Sequence, residues 1–292
     1  MRRRMLPTSA TTGSVGSPGV TTFSRTLQFL GDAPLGIFGA GHLGSTIAEC
    51  LLRSGFPADR LLICHGHSSQ TAEHLANVGL GANVVEPPTL AQSSTIILYV
   101  VRPQSVDAIA GHKVRGGAMI ISFLAGVRLA RLPVEVSLRV RVIPSPPATI
   151  AAQTAIAGVF PGGNEVVEEL LRELGIRQLS LDKEDDVHAF TAFGPCLPIV
   201  LSSFRARGGV VNDSEIAASA GLHSLKAYQP ILQWANSVEP RFETEVAHAE
   251  YLRKAATPGG VTEAMLEVVE SGRGLIEALE RGVSRSRELS VT

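Results

Sequence analysis

A glycine-rich turn, Gly39-Ala40-Gly41-His42-Leu43-Gly44, separates a short apolar run over residues 35–38 from a helical apolar pattern that begins at Leu43. In this spacing the first glycine permits a tight turn, the second lets a pyrophosphate approach the backbone, and the third permits close helix packing. The N–H groups and positive dipole of the following helix then favour the pyrophosphate. The turn predicts a dinucleotide site, with a packed turn that holds no ligand as the alternative.

Short apolar runs alternate with helical patterns from residue 35 to residue 182. Continuous apolar runs of this kind are typical of parallel strands covered by helices on both faces. Strands are expected over residues 35–38, 61–64, 95–101, 118–122, 138–143, 154–159 and 178–181. The pattern predicts a Rossmann-type α/β domain with a doubly wound parallel sheet over residues 35–182.

From residue 183 to residue 292 helical periodicity replaces the strand pattern, which predicts an all-helical C-terminal domain. Helices are expected over residues 196–207, 213–236, 241–255, 262–271 and 274–289. These segments are apolar around much of their circumference, which one chain can hardly cover. We therefore expect a homodimer or a larger homo-oligomer.

The first 26 residues hold ten Ser or Thr, four Arg and no acidic residue. Such a stretch buries too little apolar surface to offset its ordering entropy, so residues 1–34 are expected to form a disordered extension. An organelle-targeting segment is the alternative, because transit peptides are rich in Arg and Ser. We favour a plain extension and a cytoplasmic protein, since the run has no clear amphipathic helix.

Composition excludes several classes of partner. The 26 Lys and Arg against 27 Asp and Glu give a net charge of −1, which argues against nucleic acid. The three cysteines are too few and too dispersed for a disulfide framework, and the eight histidines lack the ligand spacing of a metal site. No 18 consecutive residues are all apolar, so a membrane span is not expected.

The segment after the second expected strand bears on which dinucleotide is bound. An acidic residue there would hold the ribose 2′-hydroxyl of NAD. The residues are Cys64-His65-Gly66-His67-Ser68-Ser69, without a carboxylate, so His65 and its neighbours favour NADPH. No Arg is present in this stretch, so NADH stays possible. An exposed loop without a cofactor role is the alternative for the histidines.

Two other strands end in candidate cofactor residues. Arg102 and Pro103 follow the strand over residues 95–101, at the edge where such sheets bind ligands. Arg102 is expected along the cofactor phosphates or ribose, with a solvated surface Arg as the alternative. Ala125 follows the strand over residues 118–122 and is small enough to let a nicotinamide ring approach.

A second glycine turn, Thr257-Pro258-Gly259-Gly260-Val261-Thr262, interrupts two helical patterns near the other end of the chain. Adjacent glycines permit positive φ and expose bare N–H groups. The following helix has its N-terminus at the same place, which predicts an anion site. A plain helix–helix turn is the alternative.

Together these motifs resemble those of the pyrroline-5-carboxylate reductases. The resemblance covers residues 35–289 and depends on residues 39–44, 101–104, 143–148, 194–195 and 257–262, in that order. It implies NADPH-dependent reduction of the cyclic imine 1-pyrroline-5-carboxylate to proline, by hydride transfer to the C=N carbon, in proline biosynthesis. It also implies a homodimer with interlocked C-terminal helices.

The resemblance further implies roles for single residues. The turn from Gly39 to Gly44 would hold the pyrophosphate, and Arg102 and Pro103 would line the cofactor. The substrate carboxylate would be held by hydroxyls and backbone N–H groups of Thr257, Gly259, Gly260, Val261 and Thr262. Thr262 would also contact the imine nitrogen. His188 stands where the family commonly has Thr; it is expected to supply the proton, with a core or surface histidine as the alternative.

The chain departs from the family pattern around the expected imine pocket. Residues 143–147 read Ile-Pro-Ser-Pro-Pro where the family has Met-Pro-Asn-Thr-Pro, and Cys196-Leu197 replaces Ala-Tyr. Cys196 itself is interpreted as a core residue. Two alternatives therefore stay open: a reductase of a different cyclic imino acid, and a catalytically silent NADP-binding paralogue.

Overall fold

The structure, a computed structural model, describes residues 22–66, 68–226 and 228–291. Seven strands form one sheet: β1 Leu35–Phe38, β2 Leu61–Cys64, β3 Ile96–Tyr99, β4 Met119–Ser122, β5 Leu138–Pro144, β6 Ala155–Phe160 and β7 Ile176–Ser180. Their order is β2-β1-β3-β4-β5-β6-β7, and all neighbours are parallel except β5 and β6. The predicted fold class is confirmed, with one antiparallel pair in an otherwise parallel sheet.

Six helices accompany the sheet in sequence: α1 Ser24–Leu30, α2 His42–Arg53, α3 Ser69–Asn77, α4 Pro87–Ser93, α5 Pro147–Ala151 and α6 Glu165–Glu173. Seven more follow it: α7 Asp186–Phe193, α8 Leu197–Ala206, α9 Asp213–Leu222, α10 Gln229–Ser237, α11 Glu245–Ala255, α12 Val261–Glu270 and α13 Leu275–Val291. The region after the sheet is helical, as the periodicity predicts.

Strand β1 lies between β2 and β3, so the direction in which successive strands are added to the sheet reverses at this point. Ligands of doubly wound sheets bind in the crevice at the carboxyl ends of such strands. The N–H groups of Gly39 and Ala40 both donate to the Cys64 carbonyl at 3.0 Å, and Val100 N–H donates to the Phe38 carbonyl at 2.9 Å. These bonds fix the turn after β1 beside the ends of β2 and β3.

Helix α13 connects the helical region to the sheet. A Cβ added to Gly282 would lie 2.6 Å from the Met265 sulfur and 3.0 Å from the Ala192 Cβ, so this glycine lets α7, α12 and α13 pack closely. Near the other end of α13, a Cβ added to Gly126 would lie 3.3 Å from the Leu289 carbonyl oxygen. Helix α13 therefore runs from the helical core to the loop after β4.

The expectation of disorder up to residue 34 is wrong for residues 22–34, while residues 1–21 lie outside the described part of the chain. Helix α1 is held by the buried carboxylate of Glu169 on α6. Its Oε2 accepts from the Thr26 N–H at 2.6 Å and the Thr26 hydroxyl at 2.8 Å, and its Oε1 accepts from the Arg25 N–H at 3.1 Å. Phe23 is fully buried against the main core, with its ring edge-on to Phe56.

The expected single helix over residues 213–236 is also wrong, because two helices occupy it. Helix α9 ends at Leu222, and Ser224 adopts a left-handed conformation with φ of 62°. Pro230 then occupies the first turn of α10, where its missing N–H costs no helical hydrogen bond. This proline is the sequence signal for the start of a second helix.

Two kinds of feature are not found among the described residues. No single helix there is long and apolar enough to cross a bilayer; α7 and α8 together reach that length and composition, bent by 41°, and most of their residues are buried in the protein. In the same ranges, no three His, Cys, Asp or Glu side chains are grouped as metal ligands.

Substituting Glu169 by Ala should destabilise the protein by about 2–3 kcal/mol at pH 7, because charged hydrogen bonds to buried donors are lost. Burial alone would raise the pKa of Glu169, but the bonds from Thr26 and Arg25 hold that pKa below its ordinary value of 4.5. The stabilisation is thus present above pH 4.5 and lost as pH falls through the folded-state pKa. Urea unfolding against Glu168→Ala, a neighbouring control, measures this; equal midpoints for the two variants at pH 7 would contradict it.

Candidate active site

The turn after β1 has the geometry of a pyrophosphate cradle. Gly39 has φ of 111°, and a Cβ added there would lie 2.8 Å from the Val100 carbonyl. A Cβ on Gly44 would collide with the Gly39 carbonyl oxygen, whereas a Cβ on Gly41 would meet no heavy atom within 4 Å. The first and third glycines thus serve packing, and the second faces open space at the start of α2, where a phosphate fits.

The other predicted cofactor residues lie along the same edge of the sheet. Beside the cradle, Ala40 is buried and its carbonyl accepts from the Ser45 hydroxyl at 3.1 Å, while His42 is exposed and Leu43 half-buried at the start of α2. His65 follows β2 and is half-buried, and its ring nitrogen Nδ1 contacts the carbonyl of Gly66. His67 lies outside the described residues.

At the next two strands the predicted residues face solvent. Arg102 and Pro103 follow β3 and are exposed, and Ala125 is exposed after β4.

Burial raises the pKa of the Cys64 thiol at the end of β2 to about 12, so this side chain is neutral at pH 7. The end of β2 therefore presents no negative charge from Cys64 to a ribose phosphate.

The second glycine turn has the conformation that its sequence predicts. Gly259 has φ of 69°, and Gly260 caps the N-terminus of α12. A Cβ on Gly260 would lie 2.7 Å from the Thr257 carbonyl oxygen, so a larger residue would force the turn open. Thr257 is exposed, and Val261 and Thr262 are half-buried in the first turn of α12.

The expectation that the N–H groups of Gly259 and Gly260 are bare is wrong. The Gly259 N–H donates to Oε2 of Glu263 at 2.6 Å, and the Gly260 N–H donates to the Thr257 carbonyl at 2.8 Å. The first N–H groups of a helix have no partner within it. The donors that the turn offers to an anion are therefore those of Val261 and Thr262.

Helix α13 holds this turn in place. Nη2 and Nε of Arg285 donate to the Gly259 carbonyl at 2.6 and 2.9 Å. Leu289, which packs on Gly126, lies one helical turn further along, or about 6 Å at 1.5 Å per residue. The predicted substrate turn and the predicted nicotinamide side of the sheet thus meet the same end of α13.

Thr262 and Cys196 join two helix N-termini. The Thr262 hydroxyl donates to the Cys196 sulfur at 3.3 Å. Cys196 is the residue before α8, is buried, and burial raises the pKa of its thiol to about 11. Because Thr262 is in the first turn of α12, the starts of α8 and α12 lie side by side. The Cys196 N–H donates to the Thr191 carbonyl and the Leu197 N–H to the Gly194 carbonyl, so the donors available to an anion are those of α12.

The structure does not favour the predicted role of His188 as a proton donor near neutral pH. His188 lies on α7 and is buried, with Nδ1 3.0 Å from the Ser286 hydroxyl of α13. Burial, reinforced by the positive charge of Arg141, lowers its pKa to about 4. The imidazole is therefore neutral at pH 7, and its contact helps to hold α13 on α7.

Several contacts in the site were not foreseen from the sequence. Glu263 is the third residue of α12, the position from which a carboxylate reaches back to the helix start, so a signal for it exists. Arg285 gives no such signal, because its partner is 26 residues away. Arg141 on β5 is buried and pairs with Glu184 at 3.2 Å, which links the sheet to the segment before α7.

Sequence comparisons agree with the motifs. The model of the family described as NADP oxidoreductase, coenzyme F420-dependent, matches residues 34–126. A pyrroline-5-carboxylate reductase of Synechocystis sp. is 27% identical over 87% of this chain and 97% of its own length. One of Pisum sativum is 27% identical over 90% of this chain and 99% of its own. The predicted resemblance to the pyrroline-5-carboxylate reductases and the predicted class of NADP-linked oxidoreductase are confirmed.

Structural comparisons agree with the fold. A pyrroline-5-carboxylate reductase from Coxiella burnetii superposes with a TM-score of 0.54 at 20% identity, covering 89% of this chain and 99% of that one. The Plasmodium falciparum pyrroline carboxylate reductase, solved with NADP bound, gives a TM-score of 0.52 at 19% identity over the same shares. The chain shares this fold along nearly its whole described length.

Replacing Gly41 by Val should weaken NADPH binding at least about tenfold, a cost of about 1.4 kcal/mol, while the protein stays folded. The reason is that the added side chain points into open space and occupies the room for the pyrophosphate. Fluorescence titration and thermal melting measure the two effects. Gly116→Val is the control, because a Cβ there also meets nothing within 4 Å; unchanged affinity in a folded Gly41→Val protein would contradict the cradle.

His188→Gln should flatten the pH dependence of stability between pH 6.5 and 4. In this window the unfolded wild type binds a proton that the folded protein does not, because the folded-state pKa is about 4. Wild-type stability therefore falls on acidification by up to about 1.4 kcal/mol per pH unit more than that of the variant. Urea unfolding at several pH values measures the slopes, with His112→Gln as control; parallel curves for wild type and His188→Gln would refute the buried neutral state.

Proposed function

We propose that this divergent relative of the pyrroline-5-carboxylate reductases is an NADPH-dependent imine reductase that converts 1-pyrroline-5-carboxylate to proline. The observation that supports it most is the position of α13. Its last turns contact the anion-binding turn through Arg285 and the loop after β4 through Leu289. A carboxylate on that turn and a nicotinamide at the end of β4 would then be neighbours.

NADPH supplies the hydride when bound, and the protein supplies its orientation. Gly39, Gly41 and Gly44 would hold the pyrophosphate against the start of α2. His65 and Arg102 would contact the ribose and its 2′-phosphate, and the Cys64 thiol at the end of β2 is neutral. The absence of a carboxylate in residues 64–69 supports NADPH as the better cofactor, with NADH as a weaker one.

The substrate carboxylate would bind at the N-terminus of α12, beside the start of α8. The N–H groups of Val261 and Thr262 and the hydroxyl of exposed Thr257 are its donors. The Thr262 oxygen, whose own proton points to Cys196, would accept a hydrogen bond from the ring nitrogen. Because His188 is neutral and buried, the imine is taken up in its protonated form rather than protonated by this residue.

The active assembly is proposed to be a homodimer or a larger homo-oligomer. Three apolar side chains of the helical region are almost wholly exposed in the single chain: Val210 by 89%, Leu222 by 86% and Val246 by 78%. A second copy packed on this region would cover them.

A reductase of a different cyclic imino acid is the second candidate. Ser145 stands where the resembling family has an Asn, and it is buried. Its hydroxyl is bonded to the Thr149 hydroxyl at 2.7 Å and accepts from the Ile156 N–H at 3.0 Å. The side chain is thus committed to the protein, so the pocket differs in shape from that of the family.

Initial rates of NADPH oxidation with 1-pyrroline-5-carboxylate test the proposal directly. Turnover supports it, and efficiency should be greater with NADPH than with NADH. Turnover only with other cyclic imino acids, such as a six-membered ring, would replace the substrate and keep the reaction. NADPH binding without turnover of any imine would identify a silent NADP-binding protein and overturn the proposal.

Thr262→Val should lower kcat by about 10²–10³ across the whole pH range, because a hydrogen bond that strengthens in the transition state is lost. The change removes one hydroxyl and keeps the shape of the side chain. Thr89→Val, on the exposed face of α4, is the matched control. Equal rates for wild type and Thr262→Val would exclude Thr262 from the catalytic site.

A further inference from the structure

We propose that Cys196 is a positioning residue that fixes the Thr262 hydroxyl as a hydrogen-bond acceptor, so that the site selects a ring nitrogen carrying a proton over a ring oxygen. This inference rests on the proposed function. It starts from one contact, in which the Thr262 hydroxyl donates to the Cys196 sulfur at 3.3 Å. Cys196 is buried, so its sulfur faces the protein and not solvent.

The contact between Thr262 and Cys196 decides whether the Thr262 hydroxyl donates to or accepts from a ligand. A threonine hydroxyl has one proton and two lone pairs. With the proton directed at sulfur, the face of the oxygen that is turned away from Cys196 can only accept. A protonated imine nitrogen can only donate, and the same is true of the ring nitrogen of proline, which is an ammonium at pH 7. The two groups are complementary, whereas a ring oxygen would place lone pair against lone pair.

The donors beside Thr262 give such an acceptor a role. The N-terminus of α12 presents positive partial charge and the N–H groups of Val261 and Thr262, which have no partner within the helix. This environment suits a carboxylate but repels a cationic nitrogen on the same ring. Besides the carboxylate of Glu263, which accepts from the Gly259 N–H, the Thr262 oxygen held in accepting orientation offers that nitrogen a partner on this turn.

A neutral thiol can accept the Thr262 proton without adding a charge to the site. Burial raises the pKa of Cys196 to about 11, so the sulfur is uncharged at pH 7 and adds no negative charge that would compete with the substrate carboxylate. The resembling family has Ala after Gly-Pro, so the sulfur acceptor is this chain's own feature. Selectivity would then depend on residue 196 although it does not touch the substrate.

Two ring carboxylates of similar size test the inference: proline, whose ring nitrogen donates, and tetrahydrofuran-2-carboxylate, whose ring oxygen only accepts. Their dissociation constants are measured by calorimetry on the full chain with NADPH bound. Wild type should bind proline more tightly. In Cys196→Ala the hydroxyl is free to turn and donate to the ring oxygen, so the preference should fall about fivefold, the range of one neutral hydrogen bond.

Cys196→Ser restores an acceptor and should keep or widen the preference, and Cys50→Ala, at a buried cysteine on α2, should leave it unchanged. An unaltered preference in folded Cys196→Ala overturns the inference. If that variant does not fold, loss of the preference in Cys196→Ser overturns it instead. A wild type that reduces cyclic imines but shows no preference also refutes it, while a wild type without imine turnover refutes the proposed function.

Discussion

Close approach of α13 to the sheet is the constraint on which the candidate site depends. Two glycines permit it, Gly282 against α7 and α12 and Gly126 against the end of α13. Without this approach, Arg285 would not reach the Gly259 carbonyl and Ser286 would not meet His188. Helix α13 would then not hold the turn at Gly259 near the loop after β4. The chemistry proposed for the site requires this position to be constant, because hydride transfer tolerates little error in distance.

The parts of the fold that the sequence predicted are those with local causes. Strands β1 to β4 and β6 coincide with short apolar runs, whereas β5 and β7 include charged residues such as Arg141 and Arg177. The turn from Gly39 to Gly44 follows from its own spacing. Helix α1 was missed because Glu169, which stabilises it, lies more than 140 residues away in sequence. The composition of residues 1–26 carries no trace of that partner.

In the candidate site, too, the residues with local causes could be predicted and those with distant partners could not. Thr257, Gly259 and Thr262 could be singled out because they adjoin one another at a helix start. The roles of Cys196, Arg285 and Glu184 depend on contacts across 66, 26 and 43 residues, which no pattern in one sequence reveals. His188 shows the reverse error: its residue type suggested a titration near neutrality, and burial beside Arg141 removed it.

The hydrogen bonds from Arg285 to the Gly259 carbonyl also determine which part of the candidate site forms first during synthesis. The nucleotide cradle is closed by Val100 and Val101, so a growing chain holds every contact of that turn long before the helical region exists. In the second glycine turn, by contrast, the Gly259 carbonyl is fixed only after 26 further residues have been added. If the turn from Thr257 to Thr262 binds the imine as proposed, a growing chain could hold a dinucleotide before it can hold that substrate. Cofactor bound at that stage would stabilise the sheet onto which α13 must later dock.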